Sequence, residues 1–354
     1  MVKVVMLVES FTVGGAQRMV YELLKNLDRT YFDVHLVCCE SKKNTELEKA
    51  VEGIVEINYL NIDGHKSISD YIHAFQYLDS LHPDVIHVHL AAQIFAIPWG
   101  LIHNKPVLLT LHSKVERGVI KKIEPMLKFG LKHGKMFLAA VSEENRKLAR
   151  QYFGNIDSHC FCINNGIDTD LYYQKEHEYF TYINVARQDD NKNQAVIVQC
   201  FDKIHQKHPD TRLILVGDGP NHKALLKQVN ELGLETAVTL TGSVSNVQDY
   251  YAVADVYVQA SHTEAMPLSL LEAMAAGLPL ISTNVGGIKD VISENGCLVD
   301  DGNASQLLEA MNQMYYMEKE QILKMAECGF CIVKKYSSLQ MARQYEQVYK
   351  TISE

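Results

Sequence analysis

The sequence predicts an α/β protein built of two doubly wound domains in tandem. Short apolar runs alternate with longer amphipathic stretches along nearly the whole chain, which is typical of βαβ units and parallel sheets. The 354 residues suit two domains, since domains commonly hold about 100–200 residues. About five strand candidates fall in each half, so each half predicts its own sheet.

The predicted strands are short apolar runs bounded by turn residues. In the first half they are KVVMLV (3–8), DVHLVCC (33–39), DVIHVHL (84–90), PVLLTLH (106–112) and MFLAAVS (136–142). In the second half they are YINVA (182–186), RLILVG (212–217), VTLTG (238–242), DVYVQAS (255–261) and PLISTN (279–284). The helix AQRMVYELLKNL follows the loop FTVGG, and NQAVIVQCFDKI follows the loop DDNK.

Domain boundaries follow from the same pattern. We expect residues 1–163 together with about 337–354 to form the first domain, 178–336 the second, and 164–177 the linker. The last amphipathic stretch, SSLQMARQYEQVYKTI, is expected to cross back onto the first domain. Ligands of open α/β sheets bind at the carboxyl ends of the strands, so two such domains facing one another across a cleft predict a site in that cleft.

Composition excludes several classes of protein. A hydrophobic content of 47% and a charged content of 22% are those of a soluble globular protein. The net charge of −9 argues against a nucleic-acid partner. The apolar run before Glu9 is too short for a signal peptide, and the eight cysteines show no spacing of a secreted framework. We therefore expect a cytoplasmic protein.

Two glutamates bracket a predicted helix start in SHTEAMPLSLLEAMAAGLP (261–279). Pro267 suits the first turn of a helix and Gly277 its end, which places Glu272 inside the helix and Glu264 just before it. The two lie on the order of 10 Å apart along the axis, farther than the roughly 5 Å or 6.5–9.5 Å of paired glycosidase carboxyls. They therefore favour two ends of one ligand with its phosphate at the helix start. The alternative is one solvated and one capping glutamate.

Glycine loops follow two of the predicted strands. Gly14 and Gly15 let the backbone approach a phosphate, and Gly217 opens a similar loop. Neither loop is the dinucleotide fingerprint, because His222 stands where the second loop would need its third glycine. A NAD-dependent dehydrogenase is disfavoured, and the chain has no P-loop motif. Tight strand-to-helix turns are the alternative.

Cations and a histidine are the remaining candidates for phosphate chemistry. Arg187 and Lys192 flank the turn after YINVA and are placed to neutralise a diphosphate leaving group. His112 ends a strand, where it can donate to a developing phosphate charge or orient an acceptor hydroxyl. Solvated loop cations and a structural histidine are the alternatives.

Possible metal ligands lack partners in the sequence. The Asp168-Thr169-Asp170 triplet sits in a predicted loop, His87 and His89 have no evident third ligand, and the C-G-F-C at 328–331 has no second pair. No metal is expected.

The segment 112–137 is basic and amphipathic. It holds seven Lys/Arg against two Glu with apolar residues interleaved, which suits peripheral docking on the inner face of an anionic membrane. An ordinary surface helix is the alternative.

Taken together, nine stretches resemble the family 4 retaining glycosyltransferases of the GT-B fold, over essentially the whole chain. They are GGAQR (14–18), VIHVHL (85–90), LLTLHS (108–113), NNGID (164–168), VARQDDNKN (185–193), LILVGDGP (213–220), TGSVSNVQDYYAVADVYVQAS (241–261), the segment 261–292 with its E-x7-E pair, and the closing Y-S-S…YEQVYK helix. The resemblance implies a fold of two Rossmann-like domains and transfer with retention, by front-face attack and without a metal.

The resemblance also implies roles for single residues. Glu264 would contact the hydroxyls of the donor sugar, and Glu272 those of the ribose. Arg187 and Lys192 match the pair that binds the donor diphosphate. His112 matches a histidine beside the reacting centre.

Backbone contacts to the donor are implied as well. Gly14 and Gly15 match a loop that closes over the phosphates, Gly217 belongs to the matched LILVGDGP stretch, and Val244 matches a contact to the base. Where the family commonly has E-G-F-G-L this chain has a proline at 267, which cannot donate an N–H. That contact is therefore expected to move to Met266 or Leu268. Gln188 replaces an apolar residue without a consequence that the sequence reveals.

The expected activity is transfer of a hexose or N-acetylhexosamine from a nucleotide sugar, UDP-linked by family frequency, to an acceptor sugar on a lipid carrier. Chains with this proline resemble enzymes that build capsule, exopolysaccharide or lipopolysaccharide. Two alternatives stay open: a soluble small acceptor such as a sugar phosphate, and a subunit that binds a nucleotide sugar without turnover.

Overall fold

The protein forms two compact units, each around one parallel sheet. The computed structural model describes residues 1–12, 14–113, 115 and 119–354. The first unit comprises Met1–Gly166 and Ser338–Glu354, and the second comprises Ile167–Ser337. The stretch 164–177, expected to be a linker, is thus divided between the two units.

The sheet of the first unit has seven strands in the order β3-β2-β1-β4-β5-β6-β7, all parallel. They are β1 (Val2–Val8), β2 (Phe32–Cys38), β3 (Ile57–Tyr59), β4 (Val85–His89), β5 (Val107–Leu111), β6 (Met136–Ala140) and β7 (Cys160–Cys162). The chain winds outward from β1 and returns beside it at β4. This reversal is where doubly wound sheets place their ligand crevice.

Helices cover both faces of this sheet. They are α1 (Gly15–Asn26), α2 (Glu46–Glu52), α3 (Ile68–Leu81), α4 (Gln93–His103), α5 (Glu124–Lys132), α6 (Glu143–Phe153) and the C-terminal helix (Ser338–Ser353). Alternation along β1 divides the core, since Val5 and Leu7 pack with one cluster and Val4 and Met6 with the other. A fully buried leucine or phenylalanine contributes about 1.5–3 kcal/mol to stability.

Polar contacts join the C-terminal helix to this sheet. Tyr349 Oη lies 2.6 Å from His87 Nδ1, whose ring reaches Thr110 Oγ1 through Nε2 at 2.7 Å. Tyr345 Oη lies 3.1 Å from the same threonine oxygen. All four side chains are buried, so these hydrogen bonds satisfy polar atoms that would otherwise be costly to bury.

The second unit has six strands in the order β10-β9-β8-β11-β12-β13, again all parallel. They are β8 (Phe180–Val185), β9 (Thr211–Val216), β10 (Val238–Gly242), β11 (Val256–Gln259), β12 (Leu280–Thr283) and β13 (Gly296–Val299). The helices are α7 (Gln194–His205), α8 (His222–Glu231), α9 (Val247–Tyr251), α10 (Leu268–Ala275), α11 (Ala304–Tyr315) and α12 (Lys319–Val333). The predicted α/β class with two doubly wound domains is confirmed.

Two sequence predictions concern the basic segment 112–137 and the C-G-F-C stretch. The basic segment 112–137 contains one nine-residue helix within its described part, α5, while Lys114 and 116–118 lie outside the described residues. The C-G-F-C stretch lies in α12, and no group of three or more potential metal ligands occurs among the residues described. Within the same residues no helix is long and apolar enough to span a membrane.

Candidate functional site

The predicted site residues divide between the two units. Gly14, Gly15 and His112 lie in the first unit. The other eight lie in the second unit and are Arg187, Lys192, Gly217, Val244, Glu264, Met266, Leu268 and Glu272. Those eight occupy the carboxyl ends of β8, β9, β10 and β11 or the helix that follows, and these four strands are neighbours in the sheet. Parallel strands present their carboxyl ends at one edge, so the second unit collects its candidates at a single edge.

Two loops at this edge interlock through their main chains. Gly217 has φ +128°, and a Cβ on it would come within 2.1 Å of the Ala186 carbonyl oxygen. A Cβ on Gly219 would stand 2.3 Å from the Gln188 carbonyl oxygen, and Gln188 N donates to Asp218 O at 2.9 Å. Only glycine permits this approach. The loop that carries Arg187 and Lys192 is therefore held by the loop after β9.

Gln188 strengthens this junction, although the sequence revealed no role for it. Its buried side chain donates from Nε2 to the Gly217 carbonyl at 2.8 Å. Its Oε1 lies 2.7 Å from His222 Nδ1. Since a carbonyl oxygen only accepts, the first contact orients the amide, and His222 Nδ1 must carry the hydrogen of the second.

The two predicted cations differ in their surroundings. The Arg187 side chain is 69% exposed, and its nearest carboxylate is Asp189 at 3.8 Å. Lys192 is mostly covered and forms an ion pair with Glu264 through Nζ and Oε1. The structure thus joins two residues that the sequence assigned to different parts of a ligand.

The main chain around Glu264 is held from two sides. Asn191 Nδ2 donates to the Thr263 carbonyl at 3.0 Å. On the other side Gly287 N donates to the Ala265 carbonyl at 3.1 Å. Gly286 packs directly on the Glu264 carbonyl. The sequence interpretation missed this contact, although a glycine pair shortly after a predicted strand was a signal for it.

Glu272 lies inside α10, as predicted, and is nearly buried. The Tyr251 hydroxyl donates to its Oε2 at 3.1 Å and shares that hydrogen with the Ser269 carbonyl at 3.0 Å. Burial, and next the negative charge of Glu272, raises the pKa of Tyr251 well above its usual value. Tyr251 therefore stays a donor at any pH the protein meets, a role that the sequence did not reveal.

The other predicted contacts of the second unit are main-chain positions. Pro267 precedes α10 with φ −73° and ψ 129°, so the helix begins at Leu268 rather than at the proline. The side chains of Met266 and Leu268 are buried, whereas Val244 is partly exposed in the loop after β10. A ligand contact at Met266 or Leu268 would therefore use the backbone.

In the first unit, Gly14 and Gly15 join β1 to α1. Gly14 is the N-cap residue, and no side chain caps that helix start. Gln17 donates back to the Ser10 carbonyl at 3.3 Å, which closes the loop. The neighbouring Val13 lies outside the described residues.

His112 directly follows β5 and lies among histidines. Its Nε2 is 3.0 Å from His89 Nδ1. Burial lowers the pKa of His112 to about 4, and burial together with neighbouring histidines lowers the pKa of His87 and His89 well below the usual value. Asn145 Nδ2 donates to the carbonyls of Leu111 (2.9 Å) and Ser113 (3.1 Å), which fixes the main chain on both sides. At neutral pH all three imidazoles are neutral.

Comparison with known proteins places this architecture in a family. Residues 13–171 match the family described as Glycosyltransferase Family 4, and residues 172–330 match Glycosyl transferases group 1. The chain is 27% identical over 293 residues to the N-acetyl-alpha-D-glucosaminyl L-malate synthase of Bacillus anthracis. This alignment covers 75% of this chain and 74% of that protein.

Two further proteins extend the comparison. The 2-deoxystreptamine N-acetyl-D-glucosaminyltransferase of Niallia circulans is 27% identical over 255 residues, which is 64% of this chain and 65% of that protein. The crystal structure of Anabaena HepE in complex with UDP and glucose superposes with a TM-score of 0.85 at 18% identity, and it covers 99% of this chain and 100% of that chain. The last match shows the fold, two Rossmann-like domains. The two matched family regions, taken with these relatives, show that the chain belongs to the family 4 glycosyltransferases.

Proposed function

We propose that this glycosyltransferase moves a hexose or N-acetylhexosamine, with retention, from a UDP-linked donor to an acceptor sugar on a lipid carrier in cell-surface polysaccharide synthesis. The observation that carries the proposal is the Lys192–Glu264 ion pair at the edge where four neighbouring strands end. A cation and a carboxylate side by side suit a ligand whose phosphate adjoins sugar hydroxyls.

The donor site takes its parts from the second unit. Lys192 and the exposed Arg187 would neutralise the diphosphate, and Glu264 would accept hydrogen bonds from the hydroxyls of the sugar. Glu272, fixed by Tyr251, would bind the ribose.

Backbone groups would complete the donor site. The Val244 loop would meet the base, and main-chain N–H groups at Met266 or Leu268 and at Gly217 would contact the donor. In the first unit, Gly14 and Gly15 would approach the phosphates.

The reaction balances without a metal. The acceptor hydroxyl forms a bond to the anomeric carbon on the face from which the phosphate leaves, and the carbon–oxygen bond to the diphosphate breaks. The acceptor proton passes to the leaving phosphate oxygen. The cations would stabilise that oxygen's charge, and His112 would donate to the same oxygen or to the acceptor hydroxyl.

Thermal unfolding with UDP, GDP, ADP and NAD, each with and without EDTA, tests the donor. A ligand at 100 times its Kd adds about 2.7 kcal/mol of stability. A melting temperature that rises selectively with UDP, and equally with and without EDTA, supports the proposal. The next panel begins with UDP-N-acetylglucosamine, because two relatives are named for that sugar, and UDP-glucose. No shift with any nucleotide would contradict it.

Two variants test the role assignment. Glu264→Gln is expected to abolish transfer while UDP binding persists, and Lys192→Ala to weaken UDP binding itself. Lys207→Ala, an exposed lysine beyond the far end of α7, is the matched control. Loss of UDP affinity in Glu264→Gln with activity retained would reverse the assignment.

The chemical class of the acceptor distinguishes the main proposal from a second candidate function. The L-malate and the 2-deoxystreptamine in the names of the two bacterial relatives favour a soluble small acceptor. Transfer of labelled sugar from the donor to an organic-extractable acceptor supports the lipid carrier, whereas transfer only to small soluble acceptors supports the second candidate. A donor that binds without turnover on any acceptor would favour a binding-only subunit.

Helix α5 supplies the surface for a peripheral membrane contact. Leu127 and Leu131 are buried, whereas Met126 (45% exposed) and Phe129 (57% exposed) face solvent. Exposed lysines surround these two side chains in the sequence, at 121, 122, 128 and 132, although Lys128 pairs with Glu124. Such a face suits anionic headgroups.

Sedimentation with vesicles tests this contact. Binding should require anionic lipid, weaken with salt and fall in the Met126→Ser/Phe129→Ser variant. Leu226→Ser, at an exposed leucine of the second unit, is the control. Binding that depends on neither lipid charge nor salt would contradict the proposal.

A further inference from the structure

His89 and His112 contact each other at the ends of adjacent strands. β4 and β5 pair in a register that sets His89 opposite Thr110, so His112 lies diagonally across on the same face. His89 Nδ1 is 3.0 Å from His112 Nε2, and the rings are tilted by 37°. This distance is that of an N–H···N hydrogen bond.

Only one of the two rings can donate in this contact. Both imidazoles are neutral at pH 7, because burial lowers their pKa values. A neutral imidazole carries one hydrogen, so one ring donates and the other accepts. The choice fixes the tautomer of both rings.

The second nitrogen of His89 decides the direction. His89 Nε2 is buried without a hydrogen-bond partner among the described residues. The nearest ring, His87 at 4.1 Å between centroids, has both its nitrogens engaged by Tyr349 and Thr110. If His112 donated, His89 would bury an N–H with no acceptor, an arrangement that is rarer in proteins than an unfilled acceptor. His89 Nδ1 is therefore the donor.

The backbone after His89 maintains this geometry. Leu90 adopts the left-handed region at φ +56°, an unusual conformation for a leucine. Its carbonyl accepts from Gln93 Nε2 at 2.9 Å, and Gln93 Oε1 accepts from Ile120 N at 3.3 Å. Strained backbone of this kind persists where the surroundings over-determine it, commonly at functional sites.

We propose that His89 is a positioning residue that holds His112 in its Nδ1–H tautomer. With Nε2 of His112 occupied by His89, Nδ1–H is the group that His112 offers to a ligand. His112 then serves as a hydrogen-bond donor to charge that develops on the leaving phosphate or to a hydroxyl, and not as a general base. The tautomer stands independently of the proposed function, whereas its catalytic use rests on that function.

Imidazole ¹⁵N NMR of the full-length protein, labelled at histidine, tests the tautomer. Bare and protonated ring nitrogens resonate far apart, and His112→Gln assigns the signals. In the wild type at pH 7.5 we expect hydrogen on Nδ1 of His112. Hydrogen on Nε2 of His112 would overturn the proposal without any variant.

Two substitutions at His89 separate positioning from packing. Asn places an N–H donor near the position of His Nδ1, whereas Leu offers none. His89→Asn should preserve the His112 tautomer, and His89→Leu should release it to the Nε2–H form. A His112 signal unchanged in a folded Leu variant would overturn the proposal.

Kinetics then test the link to catalysis. Loss of one donor to a developing oxyanion typically costs about 10²–10³ in kcat. We expect His89→Leu to lower kcat by about ten- to a hundredfold with KM little changed, and His89→Asn to restore most of it. If His112 takes the Nε2–H tautomer in His89→Leu while kcat stays at the wild-type value, the catalytic use of the tautomer is refuted. The proposed donor site would be untouched, because UDP binding tests it separately.

Discussion

Gly286 lies against the main-chain carbonyl of Glu264, so closely that a Cβ on the glycine would stand 1.9 Å from the oxygen. The glycine also has φ +58°, a left-handed conformation that other residues rarely adopt. The loop after β12 therefore sets the position of the glutamate that we assign to the donor sugar.

Replacing Gly286 by alanine should displace Glu264. We expect kcat to fall at least about tenfold while UDP affinity changes little, because the clash moves the sugar contact and not the diphosphate site. Initial rates and UDP titration measure the two effects. Gly302→Ala is the matched control, since φ there is +76° with open space around the missing Cβ. Equal losses in both variants would mean that backbone strain alone is responsible.

Gln188→Leu should loosen the junction between the loops after β8 and β9. It leaves the partly buried Gly217 carbonyl and His222 Nδ1–H without their partner, at a cost of about 1 kcal/mol, the low end of the range for an unsatisfied buried group. We expect lower thermal stability and weaker UDP binding together. Gln228→Leu, which removes an exposed contact to Ala195, should stay within about 0.5 kcal/mol. An unchanged UDP Kd in the Gln188 variant would show that the junction does not shape the diphosphate site.

Tyr251→Phe should weaken UDP binding through Glu272. A hydrogen bond to a charged group contributes about 1.5–3 kcal/mol, so a Kd raised roughly tenfold is expected when ribose contacts depend on the fixed carboxylate. Tyr257→Phe is the comparison, because that hydroxyl contacts Ser269 Oγ and Gln259 Oε1 instead. Calorimetric titration with UDP distinguishes them, and equal effects would argue against a specific role for Tyr251.

The buried His87 and His89 and the partly buried His112 should make the stability of the first unit depend on pH. Their folded pKa values are lowered, to about 4 for His112, so the unfolded chain binds protons more strongly below about pH 6.5. Stability is therefore full above that pH and is lost as the pH falls from 6.5 toward 4, by about 1.4 kcal/mol per pH unit for each proton taken up.

Trp99, the one tryptophan of the chain, lies in the first unit and reports its unfolding. Urea unfolding at pH 7.0, 6.0 and 5.0 should show the decline by its fluorescence. His87→Gln should lessen the slope, since one titrating group is gone. Constant stability across this range would contradict neutral burial of the three rings.

Central strands such as β4, β5, β11 and β12 were predictable because each is a mainly apolar run that is buried at every residue, which leaves a local signal. β3, β7 and β13 are short strands at the sheet edges and are only partly buried, so their sequences carry a weaker signal. For the site, the strand-end glycines and the paired glutamates are local motifs. Gln188, Tyr251 and Gly286 act through contacts to Gly217, Glu272 and Glu264, which are 21 or more positions away. No spacing along the chain predicts these contacts.

The C-terminal helix has a consequence for how the protein is made. During synthesis the sheet residues Val4, Met6 and Phe32 leave the ribosome early, yet Tyr345 and Tyr349, which pack in the same core cluster, emerge more than 300 residues later. The uninterrupted second unit can finish folding first although it is translated later. The core of the first unit is therefore completed only after the whole second unit has been translated.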